Sequence, residues 1–454
     1  MLVIHEIDRG GLNERRLDGN PEFVLRDVSY LITYPVSDDY LCVTNTFRNR
    51  SFLISKEDWN PGGIYPADFE DYAGYPDKPC TETDLPAGSL ERFRQSVAFV
   101  IVLSYDCNLR CKYCFASTGD FGTGRKIMPF ETAKQAIDFV VERSGKRRNI
   151  EVDFFGGEPL MAWDTVVKTV EYARSIEKEH NKNFRFTITT NGMLLNQEKM
   201  DYINREMKNC VLSLDGRKEV NDDHRPTAGG NGSYDRIVPK YQQLVAERGE
   251  KEYYVRGTYT KKHPDFAADV MHLATELGFR NVSVEPATGK VGDPFAITEE
   301  ELDAVKAEYD KLAKELVDKP EINFFHFFVD LKQGPCVIKR MRGCGAGSEY
   351  VAITPEGDIY PCHQFVGNDD FKMGNVHDGS FDTQISDTFA GLNIYTKPAC
   401  QKCWAKFYCS GGCAAGGYNV NNDLKKPAFV ACELERKRLE CAIAMKAIRS
   451  GMAD

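Results

Sequence analysis

Short apolar runs alternate with longer amphipathic segments through the middle of the chain. The run at residues 97–103 (VAFVIVL) is apolar at every position, as in a strand that is buried on both faces. Five further strand-like runs begin at Ile150, Phe184, Cys210, Tyr253 and Asn281. A helix-length segment follows each run, and this alternation is typical of a parallel sheet with crossover helices. The pattern predicts an α/β fold with a partial (β/α)6 barrel of the TIM type.

The clearest helix follows Thr298. Thr298 and Glu301 form a capping-box pattern, in which each side chain accepts a hydrogen bond from the backbone N–H of the other residue. Apolar residues then recur at intervals of three and four, which is the period of one helix face: Leu302, Val305, Tyr309, Leu312 and Leu316.

The first 90 residues show a different pattern. Apolar and polar residues alternate in residues 29–46 (SYLITYPVSDDYLCVTNT) and 51–55 (SFLIS), which predicts a small antiparallel sheet. The segment 58–80 is rich in Gly, Pro and Tyr and has little helical period. The sequence therefore predicts a separate N-terminal unit before the barrel.

Charge and hydropathy narrow the class of protein. The 58 basic and 68 acidic side chains give a net charge of −10, which does not favour a nucleic-acid partner. The N-terminal apolar run is broken at His5 and Glu6, too early for a signal peptide, and no later run approaches the length of a membrane span. We expect a soluble cytoplasmic protein of about three domains that does not use a membrane partner.

Fifteen cysteines are unusual for such a protein, because the cytosol is reducing and metal or catalytic roles are favoured over disulfides. Three of them lie in the segment CNLRCKYC, and seven more lie between Cys344 and Cys432. The others are isolated; Cys42, Cys80, Cys210 and Cys441 are expected to be small buried hydrophobic residues.

Polar and glycine residues follow each of the first four predicted strands. CNLRCKYC follows the first strand and GGEP the second, while TNG follows the third and SLDG ends the fourth. In a β/α barrel the active site gathers at the carboxyl ends of the strands. We therefore expect one pocket to contain all four segments.

The spacing of the first three cysteines resembles that of the radical S-adenosylmethionine (SAM) superfamily, in which C-x3-C-x-aromatic-C binds a [4Fe–4S] cluster whose fourth iron is chelated by SAM. The resemblance implies that Cys107, Cys111 and Cys114 hold this cluster. It also implies a set of SAM contacts, among which Glu158 accepts from the ammonium group: Tyr113, Gly156, Gly157, Glu158, Pro159, Asn191, Ser213 and Arg225. The cofactor bears the radical, so no catalytic side chain is assigned. A zinc knuckle is the alternative for this motif.

The C-terminal cysteines resemble a SPASM domain, which in radical SAM peptide-modifying enzymes holds two auxiliary [4Fe–4S] clusters. By the interleaved family pattern, Cys344, Cys362 and Cys413 serve auxiliary cluster I, and Cys400, Cys403, Cys409 and Cys432 serve auxiliary cluster II. Two complete clusters need eight thiolates, and this pattern supplies seven. The eighth ligand is either Cys336 or a cysteine of the substrate.

Two segments around these cysteines are CGAGSEYVAITPEGDIYPCHQFVGN (residues 344–368) and CWAKFYCSGGCAA (residues 403–415). They resemble the maturases of six-cysteine (SCIFF) peptides and other ranthipeptides, which form thioether bridges in ribosomal precursor peptides. Anaerobic sulfatase maturases carry Asp directly after the cysteine that matches Cys362, whereas this chain has His363. This difference counts against sulfatase oxidation. Carbon–carbon bond formation, epimerisation and sulfatase oxidation remain alternative radical SAM products, and a structural zinc protein remains the alternative without enzymatic activity.

The resemblance also implies an organisation and partners. Residues 1–90 would form a winged-helix-like α+β element that binds a leader peptide, residues 91–320 the radical SAM barrel and residues 321–454 the SPASM domain. The expected partners are a precursor peptide with a leader and a cysteine-rich core, and an electron donor such as flavodoxin or ferredoxin. SAM and three [4Fe–4S] clusters are the expected cofactors.

Overall fold

The computed structural model describes residues 98–329 and 341–449 in full and, before them, the backbone of five strands between residues 2 and 55. These strands form one antiparallel sheet in the order β2-β1-β5-β4-β3. They are β1 (Leu2–Asp8), β2 (Gly11–Leu17), β3 (Leu31–Pro35), β4 (Tyr40–Asn45) and β5 (Arg50–Ser55). The predicted small antiparallel sheet is confirmed, and β1 and β2 extend it. The helical part of the predicted winged-helix-like element, Cys80 and Cys336 lie outside the described residues.

The second sheet has eleven strands in the order β12-β11-β10-β9-β8-β7-β6-β13-β14-β15-β16. Its parallel part is β6 (Ala98–Ser104), β7 (Asn149–Gly156), β8 (Asn183–Thr190), β9 (Met207–Ser213), β10 (Glu252–Tyr259), β11 (Asn281–Pro286) and the short β12 (Asn323–Phe324). All six predicted strands are present, and their parallel register with intervening helices confirms the partial barrel.

Helices cover the outer face of this sheet. Those within the barrel segment are α1 (Phe130–Arg143), α2 (Trp163–His180), α3 (Gln197–Glu206), α4 (Lys218–His224), α5 (Tyr234–Arg248), α6 (Phe266–Met271) and α7 (Leu302–Leu316). The capping box of Thr298 and Glu301 is present as predicted, on a 3-10 turn (Glu299–Glu301) that leads into α7. The five apolar residues predicted to share one face of α7 are all buried.

The two faces of the barrel strands have different environments. Ile150, Val152 and Phe154 of β7 are buried in the core that includes Ala136 of α1 and Val166 of α2. The alternate residues of β7 are only half-buried, and β8 shows the same alternation. β6 is buried at six of its seven positions, which confirms the prediction that this first strand is buried on both faces. The inner face of β7 and β8 instead borders a space, which we call the lumen.

The C-terminal region continues the same sheet. Strand β13 (Tyr350–Ile353) pairs in parallel with β6, and β14 (Asp358–Tyr360), β15 (Gly374–Asn375) and β16 (Ser380–Phe381) follow in antiparallel order. The remaining helices are α8 (Thr383–Ala390), α9 (Pro398–Gln401), α10 (Lys406–Cys409), α11 (Ala414–Asn421) and α12 (Phe429–Arg449). Helix α12 packs against α7 and contacts strands β3 and β4. Among the described helices, none is long and apolar enough to cross a membrane.

Candidate active site

The loop after β6 carries the first three cysteines, and hydrogen bonds fix its course. Asp106 Oδ1 accepts from the backbone N–H of Cys107 at 2.8 Å, which turns the chain away from the strand. Further along, the N–H of Lys112 donates to the carbonyl of His224 at 2.9 Å, so the loop is anchored to the end of α4. Cys107, Cys111 and Cys114 are all half-buried in this loop.

The electrostatics of these thiols suit a cationic centre. Burial raises the pKa of Cys107 to about 12 and that of Cys111 to about 11. Glu158 adds to the increase at Cys107, and the neighbouring Cys114 adds to it at Cys111. Thiolates in such a place need a bound metal to compensate their charge.

The spacing of the sulfur atoms bears on the zinc alternative. Sulfur ligands of one tetrahedral zinc lie about 3.8 Å apart, given a Zn–S bond of about 2.3 Å. In the described part of the chain, no three cysteine sulfur atoms lie within 4.8 Å of one another. The described thiols are therefore not arranged as the ligands of one tetrahedral zinc ion.

Gly156 and Gly157 allow the end of β7 to pack against the cysteine loop. Gly156 has a φ of 135°, and a Cβ on Gly157 would lie 2.3 Å from the carbonyl oxygen of Asp106. Two hydrogen bonds close this contact, from Gly157 N–H to the Ser104 carbonyl at 2.7 Å and from Glu158 N–H to the Asp106 carbonyl at 2.9 Å. The glycines thus bring two backbone segments together, in addition to any approach to a ligand.

Glu158 is buried, with 1% of its surface exposed, and its carboxylate already accepts three hydrogen bonds. The donors are the N–H of Leu160 at 3.0 Å, the hydroxyl of Thr190 at 2.7 Å and the N–H of Asn191 at 2.8 Å. Burial raises its pKa despite these donors. Glu158 therefore ties the end of β7 to the end of β8, a role that the sequence pattern did not indicate.

Asn191 contacts the cysteine loop directly. Its side-chain amide donates to Asn108 Oδ1 at 2.8 Å and lies 3.5 Å from Cys107 Sγ. Its own Oδ1 accepts from the N–H of Met193 at 3.0 Å. The segments after β6, β7 and β8 are thus joined, as expected for one pocket.

Tyr113 lies at the centre of a buried polar cluster. Its hydroxyl donates to Asp215 at 2.8 Å and accepts from Arg225 Nη1 at 2.7 Å. Asp215 also accepts from the N–H of Thr258 at 3.1 Å, and its Oδ2 lies 3.2 Å from His224 Nδ1. Asp215 lies in the SLDG segment that was expected in the pocket, but neither Asp215 nor His224 was assigned a ligand role from the sequence.

Arg225 keeps one donor available. Its Nε is buried and has no hydrogen-bond partner among the described residues. A buried donor without a partner is costly unless a ligand satisfies it. Ser213, predicted to bind the same ligand, is half-buried at the end of β9, and its carbonyl accepts from the Tyr241 hydroxyl at 3.2 Å. The free guanidinium donor fits the carboxylate of SAM.

Three C-terminal thiols form one set. Burial raises the pKa of Cys362 to about 12, and the nearby Cys413 and Cys344 add to the increase. Cys413 is the N-cap of α11, where its sulfur accepts from the N–H of Gly416 at 3.4 Å. The structure therefore brings together the three cysteines assigned to auxiliary cluster I.

A second set lines a cavity of about 290 Å³ between α9, α10 and α12. It consists of Cys400, Cys403, Cys409 and Cys432. Burial raises the pKa of Cys409 to about 12 and that of Cys400 to about 11. The four cysteines assigned to auxiliary cluster II thus share one cavity. Cys210 and Cys441 are separate and fully buried, as predicted.

An aromatic group separates the first cysteine loop from the first C-terminal set. Phe115 directly follows Cys114, and its ring centroid lies 5.3 Å from that of His363, which directly follows Cys362. The His363 ring also lies 4.9 Å from the ring of Phe155, and its Nδ1 is 2.9 Å from the Tyr350 hydroxyl. Burial lowers the pKa of His363 to about 4, so the ring is neutral at pH 7.

The lumen below this group carries charged residues that the sequence pattern did not single out. Asp153 of β7 lies 3.5 Å from the Thr189 hydroxyl, and burial raises its pKa to about 7. Arg256 of β10 forms a two-point ion pair with Glu285 of β11 at 3.0 and 3.2 Å. The sequence signal that could have indicated these lumen residues was the presence of polar residues at alternate positions of the strands.

Comparison with known proteins gives two family matches. Residues 101–285 match the family described as the radical SAM superfamily, and residues 344–404 match the iron-sulfur cluster-binding domain called SPASM. The chain carries a radical SAM domain and a SPASM domain. This pair of domains implies SAM and several [4Fe–4S] clusters as cofactors. The cysteine loop, GGEP and the lumen all lie within the radical SAM domain or on its border.

Several curated relatives of this chain are named as maturases or maturating enzymes. Mycofactocin maturase MftC of Mycolicibacterium smegmatis is 28% identical over 362 residues, which are 74% of this chain and 84% of that protein. The cysteine-type anaerobic sulfatase-maturating enzyme of Clostridium novyi is 23% identical over 331 residues, 68% of this chain and 85% of that protein. The chain resembles both of them over about seven tenths of its length.

A solved structure shows the same fold. Native anSMEcpe with bound AdoMet and Cp18Cys peptide superimposes with a TM-score of 0.63 at 18% identity, covering 79% of this chain and 99% of that chain.

Proposed function

We propose that this protein is a radical SAM maturase that forms thioether cross-links, from cysteine sulfur to carbon, in a ribosomal precursor peptide with a cysteine-rich core. The contact between Phe115 and His363 carries this proposal. These residues directly follow Cys114 and Cys362, so the SAM-cluster loop and the auxiliary I thiols border one lumen. A substrate carbon beside the SAM cluster and a substrate sulfur on auxiliary cluster I would then lie close together.

The composition of the auxiliary I set supports a thioether product. Its described thiols are three, Cys344, Cys362 and Cys413, whereas a [4Fe–4S] cluster takes four ligands. The proposal assigns the open position to a cysteine of the substrate, and Cys336 is the competing candidate. Cys400, Cys403, Cys409 and Cys432 would hold auxiliary cluster II, and Cys107, Cys111 and Cys114 the SAM cluster, giving three [4Fe–4S] clusters.

When bound and reduced, SAM and its cluster would supply a 5′-deoxyadenosyl radical able to take a hydrogen atom from a substrate carbon. On carbon–sulfur bond formation the cysteine thiol would lose its proton, and the remaining electron would pass back to an auxiliary cluster. The residues of this chain position and shield that chemistry. Arg225 Nε would bind the SAM carboxylate, held in place by the Tyr113 hydroxyl and Asp215. Glu158 fixes the ends of β7 and β8 around the ligand, with one lone-pair position left for the SAM ammonium.

Phe115 is 42% exposed in the free protein, and the aromatic group would exclude water from the lumen once a substrate covers this ring. Phe115, Phe155 and His363 form ring contacts of 4.9 to 6.2 Å above the half-buried Asp153. Water exclusion protects a carbon radical from side reactions. His363 is neutral and adds no charge to this wall. In the proposal the substrate thiol, and not His363, binds the auxiliary cluster.

The N-terminal sheet would bind the leader peptide. Its edge strands are β2 and β3, and a peptide can add a strand to such an edge. β2 carries Glu14, Arg15 and Arg16, charges that blunt an edge, whereas β3 (LITYP) is largely apolar. We therefore assign the leader to β3. Deleting residues 1–90 should weaken precursor binding but preserve SAM cleavage without peptide, and unchanged affinity would contradict this assignment.

The product test uses a precursor from a short cysteine-rich reading frame beside the gene. Anaerobic reaction with a flavodoxin or ferredoxin donor should remove about two hydrogens, ~2 Da, for each bridge and make the bridged cysteine resistant to alkylation. Tandem mass spectrometry reads both properties. The same mass loss with every cysteine still alkylatable would instead favour carbon–carbon coupling or residue oxidation, and an unchanged mass would favour epimerisation.

The cluster assignment has its own test. Replacing Cys107, Cys111 and Cys114 together by Ala should abolish 5′-deoxyadenosine formation and lower the iron content by about a third, from about twelve irons. The Cys210→Ala variant is the control, because this thiol is fully buried in the barrel core and belongs to none of the three sets. Zinc without iron in the native protein would contradict the entire proposal.

A further inference from the structure

A group of cations surrounds one carboxylate beside the SAM-cluster loop. Asp223, near the end of α4, accepts from Lys112 Nζ at 2.6 Å and from Lys262 Nζ at 2.9 Å. Its Oδ2 also lies 3.0 Å from His263 Nε2. No other carboxylate of the described residues forms an ion pair with either lysine. Two ammonium groups share a single carboxylate, so this group has a net positive charge whether or not His263 is protonated.

A metal ion does not suit this group. Asp223, His224 and His263 bring three potential ligand atoms within 4.8 Å of one another. However, two ammonium groups already bind the oxygens of Asp223, and they would repel a divalent cation at the same place. His224 Nε2 is also engaged, since it lies 3.0 Å from the Thr260 hydroxyl. The arrangement therefore concentrates positive charge and does not chelate a metal.

Arg110 adds a third cation next to the cluster ligands. Its Nη1 donates to the carbonyl of Cys107 and, at 2.7 Å, to that of Leu109. Among the described residues, no carboxylate forms an ion pair with it. Lys112 directly follows Cys111, so the Cα atoms of these two residues are about 3.8 Å apart. The positive charges therefore lie on the loop that carries the first three cysteines.

Arg110, Lys112 and Lys262 form a basic patch that is open to a partner. The side chains of Lys112 and Lys262 are 55% and 63% exposed, and Arg110 is half-buried. The whole protein has a net charge of −10, so the sign of this patch is opposite to that of the protein as a whole. A local reversal of this kind steers and orients a negatively charged partner.

We propose that the basic patch is the docking surface for an acidic one-electron carrier protein that delivers the electron for SAM cleavage. This inference rests on the assignment of the SAM cluster within the proposed function. Each cleavage needs one electron, so the carrier is oxidised by one electron as the cluster is reduced by one. Electron transfer slows steeply with distance, and the patch holds the carrier at the loop that contains the cluster ligands.

The binding test compares the native holoprotein with the double variant Lys112→Gln and Lys262→Gln. Titration calorimetry with oxidised flavodoxin, and separately with oxidised ferredoxin, measures the affinity for each carrier. At ~10 mM salt, where the Debye length is about 30 Å, we expect the double variant to bind a carrier about tenfold more weakly. At ~1 M salt, where this length is about 3 Å, the difference should disappear. The carrier that shows this behaviour is the one that fits the patch.

The kinetic test uses two kinds of reductant in the absence of a precursor peptide. With the reduced carrier limiting, Lys262→Gln should form 5′-deoxyadenosine about threefold more slowly than the native protein. Reduced methyl viologen is a small cation that the patch does not attract, so with this reductant the rate should stay native. Equal decreases with both reductants would show that the lysine acts on the cluster itself, and would overturn the inference.

Two further variants control for charge and position. Lys262→Arg keeps the charge and should bind the carrier as the native protein does. Lys168→Gln removes a lysine of α2 that is 50% exposed and also pairs with one carboxylate, that of Asp164 at 2.7 Å. This variant should not change the affinity for the carrier. Unchanged affinity for both carriers in the double variant, or an equal loss in Lys168→Gln, would overturn the inference.

The precursor peptide is the competing occupant of the basic patch. If the double variant binds both carriers as the native protein does and loses affinity only for the precursor, the patch is a peptide site and the inference fails. A native protein that cleaves no SAM with any reductant would instead contradict the cluster assignment of the proposed function. Native SAM cleavage with methyl viologen, together with unchanged carrier binding in the double variant, would remove only the docking role.

Discussion

Gly157→Ala should separate the cysteine loop from the end of β7. The added Cβ would lie 2.3 Å from the carbonyl oxygen of Asp106 and 3.0 Å from that of Gly119. Ordinary carbon–oxygen contacts are about 3.3 Å or longer, so the backbone must move by roughly 1 Å. Both obstacles are backbone atoms, which cannot rotate away as a flexible side chain would.

The cost follows from the contacts that this movement changes. Overpacking of this kind typically costs about 1–3 kcal/mol. A shift of 1 Å would also lengthen the bond from Glu158 N–H to the Asp106 carbonyl beyond hydrogen-bond distance from its present 2.9 Å, which costs about 1 kcal/mol more. Because Cys107 directly follows Asp106, the cluster ligand moves as well, and a misplacement of about 1 Å can lower a rate about a hundredfold.

The assay measures thermal unfolding, iron content and 5′-deoxyadenosine formation on the same anaerobic preparation. Gly229→Ala is the matched control, because its new Cβ would find no atom closer than 3.7 Å and its φ is not in the left-handed region. We expect Gly157→Ala to unfold at lower temperature and to cleave SAM at least tenfold more slowly than this control. An unchanged unfolding temperature with native SAM cleavage would refute the argument from backbone contact.

Three further outcomes are expected. Burial raises the pKa of Asp153 to about 7, so between about pH 4 and 7 the folded protein holds a proton that the unfolded chain has lost, and the stability of the native protein falls as pH rises. The unfolding temperature of Asp153→Asn should therefore rise relative to that of the native protein across this window, and a difference that stays constant with pH would contradict this expectation. Arg225→Lys should weaken SAM binding about tenfold in equilibrium dialysis, since Lys lacks the Nε donor, and an unchanged Kd would reject the carboxylate contact. Glu158→Gln should lower the free energy of unfolding by about 1–3 kcal/mol, because the amide NH2 group would face a group that now donates a hydrogen bond to the carboxylate. An unchanged free energy of unfolding would contradict the hydrogen bonds described for Glu158.

Much of the barrel was predictable because its signals are local. The apolar runs that begin at Ile150 and Phe184 became β7 and β8, and the capping box of Thr298 and Glu301 begins α7. Residues close together in sequence determine such strands and helix starts, so tertiary contacts changed them little. The carboxyl-end location of GGEP followed from strand order alone.

The polar organisation of the site was not predictable in the same way. Tyr113 and Asp215 are separated by 102 positions in sequence, and their hydrogen bond depends on how α4 returns to the cysteine loop. Strands β1 and β2 were also missed, since GLNERRL has charges where an alternating strand would show apolar residues. The inward direction of Asp153 depends on the register of β7 with its neighbours, which the sequence does not display.

The parallel pairing of β13 with β6 constrains how this protein can be divided or recombined. β6 is buried at six of its seven positions, and β13 supplies its partner from a segment about 250 residues later, with Tyr350 opposite Ala98. A fragment that ends at residue 320 would lack β13 and would expose the apolar edge of β6. Such an exposed edge promotes strand pairing between molecules. Chimeras between related maturases should therefore exchange β6 and β13 together. A C-terminal region taken from one protein, with its clusters, would then be combined with the first barrel strand of the same protein.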